Sequence, residues 1–225
     1  MRSYIAGFSL FFFIACLLPQ SLADGISSAH SSVVASQDIL DAEKAGLVDV
    51  KYIPNDSRSA QIVIDNKSDQ PLTLRLPKAF VGVPVLAQMG GMGGGMFSVP
   101  PEKTKVVKVA TVCLEYGKRE PSPRMTYRLA ALESFSDDPA LAVLLDSFGR
   151  GEIPPKVAQA AAWNISSGLS WQKLAAEVID RPGGVPDQRY FTQTELFAAR
   201  QVVGVVHKRV SGMQKTAPHR SSGER

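Results

Sequence analysis

Cysteine is nearly absent from this chain. The 225 residues hold two, and the first, Cys16, lies in an apolar N-terminal run. Cys113 stands alone in the remainder, so no internal disulfide staples the fold there. Histidine is almost as scarce: His30 and His219 fall near the chain ends, which leaves His207 as the one candidate to activate a thiol. No Gly-x-Ser-x-Gly, His-Glu-x-x-His, paired-cysteine motif or Gly-Lys-Ser/Thr occurs, so serine-hydrolase, zinc and P-loop chemistry lack their signatures. Lys and Arg number 25 against 21 acids, a net charge of +4 with no dense basic stripe. Nucleic acid is therefore not an expected partner. Four of the ten Phe fall within the first 23 residues, so the core beyond them must come from Val, Leu, Ile and Ala.

The one long apolar stretch is itself informative. Arg2 precedes the run Ile5–Leu18, and Ser21-Leu22-Ala23 sets small residues before Asp24. Residues 1–23 therefore read as a signal peptide cleaved between Ala23 and Asp24. Gly7, Ser9 and Pro19 interrupt the run, which is too short for a membrane span. Phe13-Ile14-Ala15-Cys16 offers a second cleavage option, with Cys16 lipidated, but Phe13 and the following Leu17-Leu18 fit a lipobox poorly. The expected product is exported, to the periplasm, the cell surface or beyond, with no transmembrane segment in the mature chain. About 200 residues remain, enough for one sizeable domain or two small ones.

Residues 24–47 are Ser-rich and read as a flexible linker with a short helical piece near 36–45. From Val48 the apolar period becomes two, over 48–52, 60–64 and 72–76. The turn formers of 65–71 read as a hairpin connection. Phe80–Leu86 reads as a further strand, edge or irregular because of Pro84. Lys103–Leu114 carries apolar residues on both parities and reads as a central strand covered on two sides. The second half switches to helical punctuation: Asp138-Pro139, Pro154-Pro155, Ser170, and a Thr192/Glu195 capping box flanked by Phe191 and Leu196. The fold class expected is α+β. A small antiparallel Ig-like β-sandwich (48–134, with a Gly/Met-rich loop at 87–96 and a crossover at 116–130) precedes a module of about four helices (135–211) and a disordered tail (212–225).

A lone cysteine in an exported protein is a buried core residue, an intermolecular partner or a reactive thiol. Cys113 sits in Thr-Val-Cys-Leu-Glu-Tyr-Gly-Lys, and Gln159 sits downstream in Ala-Gln-Ala-Ala-Ala-Trp, with Trp163 one helical turn on. This pair resembles the Cys–Gln thioester domains of bacterial surface adhesins, although Ala158 stands where those typically carry Thr. The resemblance implies that the Cys113 thiol condenses with the Gln159 amide, that Trp163 shields the bond, and that an amine on a partner opens it. Residues Met89, Met92 and Met96 form a candidate site for a soft ion such as Cu(I), set against a plain flexible loop tip. The charged stretch Glu115, Lys118, Arg119, Glu120 and Arg124 reads as a solvated loop.

The chain as a whole resembles exported bacterial proteins that combine a Gly/Met-rich loop, a Cys-Leu-Glu strand end and a Gln-Ala-Ala-Ala-Trp helix. That likeness implies no activity. The leading expectation is a non-enzymatic interaction or structural protein with a protein or cell-envelope partner and no cofactor. A Cys113–Gln159 attachment protein and a Met-loop metal binder are the alternatives.

Overall fold

In β2 (Val48–Asp56) and β3 (Ser59–Asn66) every second side chain is buried, and Val48, Val50, Tyr52, Ala60, Ile62 and Ile64 all point into one interior. This computed structural model describes residues 36–84, 89–91, 96–179, 181, 183 and 186–216. The signal-peptide, Ala23/Asp24 cleavage, Cys16 and Met92 expectations lie outside the described residues. The protein is α+β, with five α-helices and mostly antiparallel sheets among the described residues. No helix among the described residues is long and apolar enough to cross a membrane.

The strand pairing does not show the two facing sheets of an Ig-like sandwich. Six strands follow one another in the order β2, β3, β8 (Thr104–Val112), β6 (Met89–Gly91), β5 (Phe80–Pro84) and β9 (Tyr127–Ala131). The sheet curls until β9 meets β2 again at the single pair Tyr52–Tyr127. Gly82 makes that curl possible. A Cβ there would stand 2.2 Å from a ring carbon of Tyr52, so only glycine lets β5 run beneath the buried ring. A separate three-stranded sheet, β1 (Gln37–Asp38), β4 (Leu72–Arg75) and β7 (Met96–Val99), carries Leu74 and Val99 into the same core as Ile62 and Ile64. Helix α1 (Ile39–Lys44), capped by Asp38, adds Ile39 and Ala42.

Three strand expectations need correction. Residues 65–71 do not join a hairpin; they carry the chain from the curled sheet to the smaller one, because β4 pairs with β1 and β7. Strand β8 is not covered on both sides: Val106 is 47% exposed and Lys108 lies exposed on the same face, while Val107 and Val109 on the other face pack against the core of the curled sheet. Only Thr111 and Val112 at its end are buried. Strand β5 is not an edge. It pairs with β6 and β9, and Pro84 sits at its end, beyond the β6 pairing, where a missing N–H costs nothing.

Strands β5 and β9 are apolar on both faces because they separate two cores. Phe80 and Leu129 point into the curled sheet, while Val81 and Ala130 point outward onto the helices. Over that outer face pack α2 (Pro139–Gly149), α3 (Pro155–Ser166), α4 (Trp171–Ala176) and α5 (Gln193–Thr216). Their starts match the expected caps. Asp138 accepts from Ala140 N–H, Ser170 from Lys173 N–H, and Thr192 and Glu195 exchange the two bonds of a capping box. Helix α4 stops at Ala176, for Val178 already pairs in a small ribbon, β10 (Val178–Ile179) with β11 (Gln188–Arg189). Helix α5 runs to Thr216, into the stretch expected to be tail.

Candidate functional site

Seven consecutive residues of α3, Val157 to Trp163, are buried. A helix buried all round belongs to the centre of its layer, and α3 lies between α2, α5 and the end of β8. Six of those seven are Val, Ala or Trp. The seventh, Gln159, is 4% exposed, and a buried amide must find partners. It finds them on Cys113, the residue after β8: the Cys113 N–H donates to Gln159 Oε1 at 2.8 Å, and Gln159 Nε2 donates to the Cys113 carbonyl at 2.8 Å. The side chain acts as a one-residue strand, completing a backbone whose ladder has just ended. Two helical turns along the same face Ser166, and next to it the C-cap residue Ser167, donate to the Leu114 carbonyl, and Ser167 accepts from the Tyr116 N–H. The polar residues of α3 thus read out the backbone of 113–116 in order.

Cys113 and Gln159, 46 residues apart, are brought together. The thiol is half-buried and its Sγ donates to the Glu115 carbonyl at 3.2 Å. Burial pushes the thiol pKa up, and the nearby carboxylates of Glu120 and Glu115 push the same way. The indole of Trp163 acts against them, its N–H favouring the thiolate. That N–H is buried and meets no partner within hydrogen-bonding geometry, so it stands beside the sulfur without being satisfied by it. Around Trp163 stand Tyr116 (ring centroids 5.2 Å, edge-on), Tyr190 (5.5 Å) and Phe191 (5.9 Å, edge-on). Together they enclose the indole in an aromatic box.

On the other side, the β2–β3 turn reaches the end of β8. The Thr111 N–H donates to the Arg58 carbonyl at 2.8 Å and its hydroxyl to the Ser57 carbonyl at 3.0 Å. Ser57 in turn donates both its N–H (2.9 Å) and its hydroxyl (2.6 Å) to Glu120. The stretch expected as a solvated loop is thereby folded back, with the Glu120 carboxylate held on Ser57 and its charge felt at the thiol. A small cavity of about 190 Å³ opens against Gln159, lined by Arg58, Thr111, Pro155, Lys156 and Tyr190. A larger apolar groove of about 620 Å³ between β8 and the α2–α3 connection touches neither Cys113 nor Gln159.

His207 is exposed along α5 and is not among the groups that meet the thiol. The candidate methionines are divided: the Met89 backbone lies in β6 of the curled sheet, and Met96 lies 69% exposed in β7 of the other sheet. Sequence reasoning missed Tyr116, Glu120, Lys156 and Tyr190. Lys156 had a signal, three residues before Gln159 on one helix face. Tyr190 had none, since only the packing of the segment before α5 brings it to Trp163. No family model, no curated protein and no solved structure matches the chain.

Proposed function

We propose that the protein is an exported attachment protein of the cell envelope, in which Cys113 and Gln159 close an internal thioester that a partner amine then opens. One observation carries this reading: the Gln159 amide, the only polar group in a buried helical run, is held by two hydrogen bonds at the residue that bears the lone thiol.

The chemistry follows from the geometry. The Cys113 N–H already rests on Oε1, the atom on which charge grows when sulfur adds to the amide carbon. Rotation of the Cys113 side chain releases Sγ from the Glu115 carbonyl and swings it to that carbon. A C–S bond forms, the C–N bond breaks, and the nitrogen leaves as ammonia with the thiol proton. The bond from Nε2 to the Cys113 carbonyl is lost with the nitrogen that makes it. In the second step an amine adds to the thioester carbon, the C–S bond breaks, the thiol regains a proton, and Gln159 becomes a substituted amide. The Trp163 box limits water between the two steps.

The intact mass of the purified protein, with and without methylamine, tests this. The expected mass is one ammonia short of the sequence, is raised by one methylamine on treatment, and is unaltered by methylamine in Cys113→Ala. A full mass that methylamine leaves unchanged overturns the proposal.

A further inference from the structure

The thioester reading leaves the acceptor unspecified, and the cavity beside Gln159 bears on it. Gln159 is almost wholly enclosed, and both of its polar atoms face the Cys113 backbone. Gln159 is itself one of the residues that line the cavity, so a third group held there lies next to its side chain. A volume of about 190 Å³ has room for about six waters, or for one unbranched side chain.

Its lining is unevenly charged. Lys156 and Arg58 are cations, and no carboxylate is among the lining residues. Arg58 is paired with Asp56 at 3.1 Å. Lys156 has no carboxylate at ion-pair distance among the described residues. Its Nζ lies 3.3 Å from the centre of the Tyr190 ring and donates to the Tyr190 carbonyl at 3.1 Å. Burial lowers the Lys156 pKa, and the charge of Glu195 only partly opposes it. Glu195, the one acid whose charge is felt at Lys156, has its carboxylate on the Thr192 N–H. Helix α3 also begins here, at Pro155, without a side-chain cap, and adds the positive end of its dipole. An ammonium group entering this cavity is repelled, and an anion is drawn in.

We propose that this cavity is the acceptor's way in, and that Lys156 selects an amine carrying a carboxylate on the same short chain. The selection rests on the thioester reading and concerns only which amine opens the bond. A carboxylate within about 6 Å of Lys156, at an effective dielectric of about 40, gains about tenfold in local concentration, and added salt erodes the gain.

Three amines of one length test it on the whole protein: β-alanine, propanolamine and propanediamine, at equal free-base concentration, with adduct formation followed by mass. The expected rate order is carboxylate, then hydroxyl, then ammonium, with β-alanine ahead of propanediamine by about tenfold or more at low salt. Lys156→Gln should bring the three rates together, and Lys156→Arg should keep their order. Equal rates in the wild type, propanediamine the fastest, or an order that survives Lys156→Gln, each overturns the selection while leaving the thioester standing. A full-mass protein that takes up none of the amines overturns the thioester and the selection with it.

Discussion

Replacing Gln159 by methionine keeps the length and apolar stem of the side chain and removes both hydrogen bonds to Cys113. In a Cys113→Ala background no covalent bond contributes, so the change reads the amide alone. Two groups lose their partners, the N–H and carbonyl of residue 113, each now bonded at 2.8 Å. An unsatisfied buried group costs about 1–3 kcal/mol, and since residue 113 is half-buried the lower half of that range applies, about 2–4 kcal/mol for the pair. For a domain of this size that lowers the melting temperature by about 5–12 °C. Differential scanning calorimetry of the two chains reads it directly. Gln159→Glu sharpens the test through pH. A protonated carboxyl donates and accepts as the amide does, whereas the carboxylate cannot donate and is costly to bury. The folded pKa is thus raised above the unfolded value of about 4.3, so the stability of Gln159→Glu is fully present below that pH and lost as pH rises through the folded pKa. A methionine variant that melts within about 2 °C of its parent, or a glutamate variant with no extra pH dependence, refutes the pairing on which the site is built.

Gly82→Ala should destabilise by about 1–3 kcal/mol or more, since its Cβ would meet the Tyr52 ring at 2.2 Å in a closed core; an unchanged urea midpoint would show that the sheet does not curl as described. Thr192→Ala should cost about 1 kcal/mol, and adding Glu195→Ala less than the sum, because the two side chains form one reciprocal cap. Full additivity in denaturant titrations would contradict the box. Glu120→Gln, which keeps an acceptor for Ser57 but removes a negative charge near the thiol, should lower the Cys113 pKa and speed alkylation of the free thiol at fixed pH. A slower or unchanged rate would mean that Glu120 does not face the sulfur.

Local rules were legible where local physics decides. Period-two stretches gave β2 and β3, and each helix start carries its own cap, from Asp138 to the Thr192/Glu195 box. The errors lie where partners are chosen. The turn formers of 65–71 say that the chain turns, not which sheet it turns towards. The two-faced apolar pattern of β8 suggested cover on both sides, yet the helical layer reaches only its end, and the Lys residues between the Val positions mark the open length. The site divides in the same way. A lone thiol and a glutamine in an Ala-rich helix are visible as oddities in the sequence, and so is the Trp one turn beyond. Glu120 and Tyr190 enter through Ser57 and Trp163, contacts that no spacing encodes.

Gln159 and Cys113 differ in what the fold alone explains. The backbone at the exit of β8 needs a two-ended polar group, and an amide in a wall of alanines supplies it, so Gln159 is accounted for by structure whether or not any bond is made. The thiol is accounted for less fully: it packs half-buried against the helical core, but its one hydrogen bond, to the Glu115 carbonyl, is a weak donor's bond that the backbone does not require. The chain carries its single described cysteine there, on the residue whose backbone N–H donates to the Gln159 amide oxygen and beside an indole N–H that is buried without a partner. Leaving such a donor unsatisfied costs free energy in the resting state. The cost makes sense if the donor meets its charge only when sulfur, or the oxygen of the carbon it attacks, becomes negative. The groups of this site that the fold explains least, one thiol and one indole, are thus the two that the proposed thioester would use, while Gln159 is held against the residue that bears the thiol.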